Sequence, residues 1–192
     1  MKKILYVASK NSGKISEYKR MLSLVNCKLL MQPESIEVIE DGKTFEENAR
    51  KKASEVSIKT KNYSIADDSG LCIDALGGSP GIYSSRYASD DKKRIERVLR
   101  ELKGEKKRHA FFIAHVCLAD PNGKILLHTE AKCVGNILLE PRGEDGFGYD
   151  PIFEEITSKL SFAEMDNDTK EFYSHRGKAL KKIIPDLARI LI

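Results

Sequence analysis

The chain has 192 residues, 41% hydrophobic and 32% charged, which is enough apolar content for a buried core and argues against disorder. A net charge of +4 is too mild for a nucleic-acid protein, which concentrates its basic charge in a patch, and no apolar run approaches the length of a membrane span. The four cysteines, Cys27, Cys72, Cys117 and Cys133, form no C-x-x-C pair, which excludes cysteine-based zinc and redox motifs and suits a reducing cytoplasm.

In chain order, residues 3–8 read as a buried first strand, not a signal peptide. A polar loop, Ser9-Lys10-Asn11-Ser12-Gly13-Lys14, leads to a helix over 15–25 with Tyr18, Met21, Leu22 and Val25 at helical spacing. Residues 28–31 form a short strand. Thr44-Phe45-Glu46-Glu47 is a capping box that opens a helix running to about residue 59. The run Tyr63-Ser64-Ile65 ends a strand whose exit is Ala66-Asp67-Asp68-Ser69-Gly70. A Gly/Pro-rich loop over 76–83 follows. Ser89-Asp90 then caps a basic helix with Ile95, Val98, Leu99 and Leu102 as its apolar stripe. Residues 110–119 and 124–129 form a hairpin across Asp120-Pro121-Asn122-Gly123, and a third strand over 131–138 extends the meander. Ser174 caps a final helix through Leu187, which Pro185 should bend or end early. Helices alternate with strands early and strands cluster late. The expected fold is therefore α/β, one two-lobed domain over 1–192 with a mixed sheet and a ligand cleft between its lobes.

Five segments carry chemistry. Two carboxylates, Asp67 and Asp68, at a strand exit followed by Ser69 and Gly70 suit Mg²⁺, although Asp-Ser-Gly is also ordinary turn chemistry. The Ser9–Lys14 loop sits between a strand and a helix, where backbone N–H groups, the positive helix end and Lys14 favour phosphate. It lacks the spacing of a Walker A loop. Lys52 falls roughly 20° from Phe45 on the apolar face of the second helix, so its ammonium either snorkels to water or meets phosphate. His175 and Arg176 in a first helical turn oppose the helix dipole, which points to an anion or a nucleobase held there. In Gly146-Phe147-Gly148-Tyr149-Asp150, glycines let the backbone approach a ligand, Phe147 offers a stacking face and Asp150 accepts from a base N–H edge. Together these residues describe a nucleotide handled through Mg²⁺.

In this order the segments resemble the inosine triphosphate pyrophosphatase family over nearly the whole chain. The matching motifs are Ser9-x-Asn11-x-x-Lys14 with Glu17, Glu40 through Ala49 with Lys52-Ala53, and Asp67-Asp68-Ser69-Gly70-Leu71 with the Leu76–Tyr87 segments. Gly146 through Phe153, and Phe162-Ala163-Glu164-Met165 with Lys170 and Ser174-His175-Arg176-Gly177, complete the set. The resemblance implies a long central mixed sheet between two α/β lobes, a homodimer, and hydrolysis of a nucleoside triphosphate between its α and β phosphates. Typical substrates are the triphosphates of inosine, xanthosine and their deoxy forms. It implies Glu40 and Asp68 as Mg²⁺ ligands, with Asp68 also orienting or deprotonating the water. Ser9, Asn11, Lys14, Lys52 and Ser69 would hold the triphosphate beside Lys10, Ser12 and Gly13 of the same loop. Phe147 would stack on the base within the Gly148-Tyr149 loop, Asp150, His175 and Arg176 would read its edge, and Lys170 would close over the nucleotide. Lys10 stands where a small or polar residue is expected, and Asp67 stays open as a second carboxylate. A related pyrophosphatase type preferring pyrimidine or modified nucleotides is the nearest rival. A nucleotide- or RNA-binding module without catalysis is the rival from another class, and its basic stripe is missing.

Overall fold

In a computed structural model, which describes residues 2–192, the strands form one mixed six-stranded sheet in the order β2-β1-β3-β4-β5-β6. Strand β1 (Ile4–Val7) runs parallel to β2 (Lys28–Met31) and to β3 (Tyr63–Ile73), with Ile4 opposite Lys28 and Leu5 opposite Tyr63. Strands β4 (His109–Ala119) and β5 (Ile125–Ile137) are joined by the expected turn, where Asp120 accepts from the Gly123 N–H at 2.9 Å. Strand β6 (Phe153–Glu155) pairs antiparallel with the end of β5. The helices are α1 (Ser12–Met21), α2 (Phe45–Thr60), α3 (Asp91–Glu101), α4 (Asn167–Tyr173) and α5 (His175–Leu191).

The chain divides into two compact units. One comprises residues up to Asp68 with Ala114–Ala131 and Ala179–Ile192; the other comprises Ser69–Ile113 and Lys132–Lys178. In the first unit, strict alternation along the strands sorts two cores. Leu5, Val7, Ile65, Val116 and Leu118 pack with Tyr18 and Leu22 near α1 and with Leu180, Ile183 and Leu187 of α5. Ala8, Ala66, Cys117 and Ala119 pack against Ala49, Ala53 and Val56 of α2. The small residues on that second face let α2 lie close to the sheet. In the second unit, Phe112, Phe153 and Phe162 interlock at 4.8–5.7 Å between ring centroids, joined by Leu71, Ile73, Val98 and Leu102.

Four expectations change. Helix α1 starts at Ser12, not Ile15, because the Asn11 side chain accepts the Lys14 N–H at 3.0 Å and caps it there; it ends at Met21. Strand β3 does not exit at Asp67 but continues to Ile73, so the Asp-Asp-Ser-Gly run is strand and not turn. The strands expected over 124–129 and 131–138 are one, because burial keeps alternating through Glu130. Helix α5 passes Pro185 and reaches Leu191. An interior proline costs about 3 kcal/mol. Buried Ile183, Leu187 and Leu191 each contribute roughly 1.5–3 kcal/mol, which together exceeds it. Strand β6 and helix α4 are too short to leave a readable period.

Desolvation pushes the thiols of Cys117 and Cys133 up to about 12 and that of Cys72 to about 11. All three side chains are buried, whereas Cys27 is half-buried. A thiol reagent at pH 8 is expected to modify one cysteine per native chain, Cys27, and the other three only after denaturation. Counting released chromophore with and without guanidinium checks this.

Candidate active site

The first unit holds a buried charged cluster built on β3. Asp67 and Asp68 are adjacent in an extended strand, so their side chains leave opposite faces of the sheet. Each meets a different helix. Asp67, 1% exposed, takes the Lys14 ammonium of α1 at 2.9 Å. Asp68, 7% exposed, accepts from Asn48 Nδ2 of α2 at 3.0 Å, and its Oδ1 lies 3.6 Å from Lys52 Nζ. Asp67 is thereby identified as the counter-ion that holds Lys14, the member the sequence left open.

Lys52 does not snorkel to water. Its Nζ lies 2.6 Å from Glu40 Oε1 and faces Asp68, so two carboxylates that the sequence places 28 residues apart converge on one ammonium. Burial works to lower the Lys52 pKa, but Asp68, Glu40 and Asp67 outweigh it and hold the ammonium above its usual value. Burial is also the largest influence on Asp68. It raises the carboxyl above its usual range, against the pull of Lys52 and Lys14.

Asn48 is a residue of this site that sequence reasoning missed. Its Oδ1 accepts the Gly42 N–H at 2.8 Å, which fixes the amide so that Nδ2 donates to Asp68. A Cβ at Gly42 would stand 2.7 Å from that Oδ1, so glycine there keeps the amide in place. The available signal was a buried polar position one helical turn before Lys52 on the apolar face of α2. Thr44 caps the helix as expected, accepting the Glu47 N–H at 3.1 Å, while Glu47 reaches back to the Lys43 N–H at 2.7 Å, one residue earlier than the usual box.

The remaining residues of the first loop have structural partners. Ser9 Oγ accepts the Asn11 N–H at 3.2 Å, Asn11 caps α1, and Ser12 and Gly13 form its first turn. Lys10, expected on phosphate, is exposed and donates to the Glu34 carbonyl at 3.1 Å.

The second unit holds a separate aromatic and ionic cluster. Asp150 accepts the Phe147 N–H at 2.8 Å and pairs with Lys170 Nζ at 2.6 Å. Lys170, expected to close over a nucleotide, is buried and holds Asp150. The half-buried Phe147 ring has Lys170 Nζ 4.9 Å and the Arg176 guanidinium 5.9 Å from its centroid. Arg176 Nη2 donates to Ser69 Oγ at 2.8 Å. The His175 ring stacks on Phe112 at 4.7 Å and 9°, which explains a histidine tolerated in a buried first helical turn. Tyr149, placed by sequence near the base, is a core residue whose hydroxyl donates to the Ser84 carbonyl at 2.8 Å. Gly148 donates its N–H to Asp91 at 2.7 Å.

Gly146 has φ +83°, and a Cβ there would collide with the Asp150 carboxylate. Gly146→Ala is expected to destabilise the protein by about 1–3 kcal/mol through backbone strain, and to displace Asp150. Chemical denaturation and crystallography of the variant check both.

A family model described as Ham1 family matches residues 5–186. A dITP/XTP pyrophosphatase of Prochlorococcus marinus subsp. pastoris is 69% identical over 99% of this chain and 99% of that protein. A dITP/XTP pyrophosphatase of a Nostoc species is 48% identical over 100% of this chain and 97% of that protein. Among solved structures, a HAM1 protein from Coxiella burnetii superposes with a TM-score of 0.87 at 37% identity, covering 97% of this chain and 98% of that one. The fold, the ordered motifs and these likenesses agree: the chain belongs to the Ham1 family.

Proposed function

We propose that the chain hydrolyses the triphosphates of deaminated purines, namely inosine, deoxyinosine and xanthosine, to the nucleoside monophosphate and pyrophosphate. The observation that carries the reading is the buried convergence of Glu40 and Asp68 on Lys52, with Asn48 holding Asp68. The name of the relative at 69% identity, dITP/XTP pyrophosphatase, supports the same substrate class.

Mg²⁺ fits this cluster, because two carboxylates supply hard oxygen donors at a point where positive charge is already accommodated. Glu40 and Asp68 would hold it. When bound, it would neutralise phosphate charge and make a coordinated water more acidic. The protein side of the reaction is positioning and charge. Asp68 orients the attacking water and takes its proton. Lys14, steadied by Asp67, and Lys52 neutralise phosphate oxygens, with Ser9, Asn11 and Ser69 as hydroxyl and amide contacts. Phe147 stacks on the base. Asp150 suits the N1–H of a 6-oxopurine, whereas adenine would turn a lone pair towards the carboxylate. His175 and Arg176 read the remaining edge, and Lys170 keeps Asp150 in place.

We place the enzyme in a reducing cytoplasm, on the support of four free cysteines. Among the described residues no helix is long and apolar enough to cross a membrane. We expect a homodimer, which gel filtration checks at twice the 21.6 kDa chain mass. The test of the function is turnover of inosine triphosphate with Mg²⁺. Pyrophosphate and inosine monophosphate are the expected products, with adenosine triphosphate turned over at least ~100-fold less efficiently because Asp150 is left facing a lone pair. Stepwise release of single phosphates, or a preference for pyrimidine triphosphates, would overturn the assignment.

A further inference from the structure

Outside this cluster, the first unit brings together three groups with the spacing of a metal site. They are Glu46 in the first turn of α2, His115 on β4 and His128 on β5, each offering a ligand atom within 4.8 Å of the others. His115 Nδ1 lies 3.2 Å from His128 Nε2, and His128 Nε2 lies 4.0 Å from Glu46 Oε1. Zinc-type ions bind imidazole nitrogen at about 2.0–2.1 Å, so neighbouring ligand atoms in a tetrahedron stand about 3.3 Å apart. The two histidine nitrogens already stand at that edge length; each ring must turn to aim its lone pair at a shared ion, and the carboxylate must move in by a side-chain adjustment.

A second observation concerns the supporting shell. Glu130 Oε2 lies 3.2 Å from His115 Nε2, the ring nitrogen facing away from His128. Carboxylate contact there selects the Nε2–H tautomer and leaves a lone pair on Nδ1, the arrangement that orients metal-ligating histidines. The rings of Phe45 and His128 lie nearly parallel to that of His115, at 6.5 Å and 5.5 Å, and hold its plane. Without metal, His128 Nε2–H donates to His115 Nδ1. An ion entering between them displaces that proton to solvent.

One group competes. The Arg50 Nε donates to the same Glu46 oxygen at 2.7 Å. This pair is solvent-exposed at one-turn spacing, a class of interaction too weak to hold the carboxylate against a metal.

We propose that Glu46, His115 and His128 bind a divalent transition ion of the zinc class, separate from the Glu40–Asp68 cluster, with water completing the tetrahedron. The ion ties the first turn of α2, the helix carrying Asn48 and Lys52, to the β4–β5 hairpin. Zinc itself has no visible spectrum, so Co²⁺ is the probe. Chelator-stripped protein at pH 7.5 is titrated with Co²⁺ and its visible absorption recorded. The expected result is one ion per chain with intense tetrahedral bands, displaced by Zn²⁺ and retained in Asp68→Asn. His128→Ala, at the solvent edge and safe for folding, is expected to weaken binding at least 100-fold and remove the bands. Arg50→Ala is expected to tighten binding several-fold by freeing Glu46. Zn²⁺ should raise the thermal midpoint of the native chain but not of His128→Ala. Absence of stoichiometric binding, or equal binding by His128→Ala, overturns the site. Loss of the bands in Asp68→Asn instead assigns the ion to the other cluster and overturns it as well. Equal binding by Glu46→Gln removes Glu46 as the third ligand.

Discussion

Asp68→Asn is expected to lower kcat/KM for inosine triphosphate by about 10³-fold or more while leaving the fold intact. A general base contributes roughly 10²–10⁴-fold, and this substitution also weakens a metal-ligating carboxylate. The fold survives because asparagine is isosteric and can still present an oxygen to Asn48 Nδ2, 3.0 Å away in the native chain, and to Lys52. Native circular dichroism with absent turnover is the expected pair of readings; residual activity within tenfold of wild type would remove Asp68 from its role. A pH profile adds a second check. Ionised Asp68 is the active form, so kcat/KM should fall as pH drops through its pKa. In the metal-free chain burial raises that pKa above the usual aspartate range. Asn48→Ala removes a donor that favours the ionised form and should move the acid limb up.

Lys52→Met is the second large effect, and it acts on stability and catalysis together. Breaking a buried ion pair leaves uncompensated charge and costs about 3–5 kcal/mol. Glu40 is partly exposed, its side chain retaining 27% of its accessible surface, so roughly 2–4 kcal/mol is the expected loss in metal-free protein. Urea denaturation measures it. Millimolar Mg²⁺ should restore part of the loss by giving Glu40 and Asp68 another cation. kcat/KM is expected to fall by about 10²–10³-fold with the loss of one preorganised phosphate contact. Unchanged stability in Lys52→Met would mean that Glu40 and Asp68 do not depend on that ammonium.

Much of the fold was legible because period and caps are local. Residues 3–8, the Thr44 cap and the Asp120–Gly123 turn announce themselves within a few positions, and the structure contains each. The errors share a cause. The run Asp67-Asp68-Ser69-Gly70 reads as a turn on composition, yet it is the interior of β3. Charged strand residues are tolerated there only because Lys14, Asn48 and Lys52 arrive from two helices to satisfy them. Likewise Pro185 signals an end to α5, and only the apolar face packed beneath it keeps the helix going.

The candidate site divides along the same line. From sequence alone the chain declares its chemistry: carboxylates, lysines, a glycine-flanked aromatic and a basic helix start, in an order that resembles one family. The sequence could not say which group answers which. Assignment of Asp67 to Lys14, the sharing of Lys52 between Glu40 and Asp68, the amide of Asn48 behind Asp68 and the tie between Lys170 and Asp150 all required the tertiary structure. The physical reason is that residue type and spacing determine what a side chain can do, while burial and the partner brought to it decide its charge, orientation and reach.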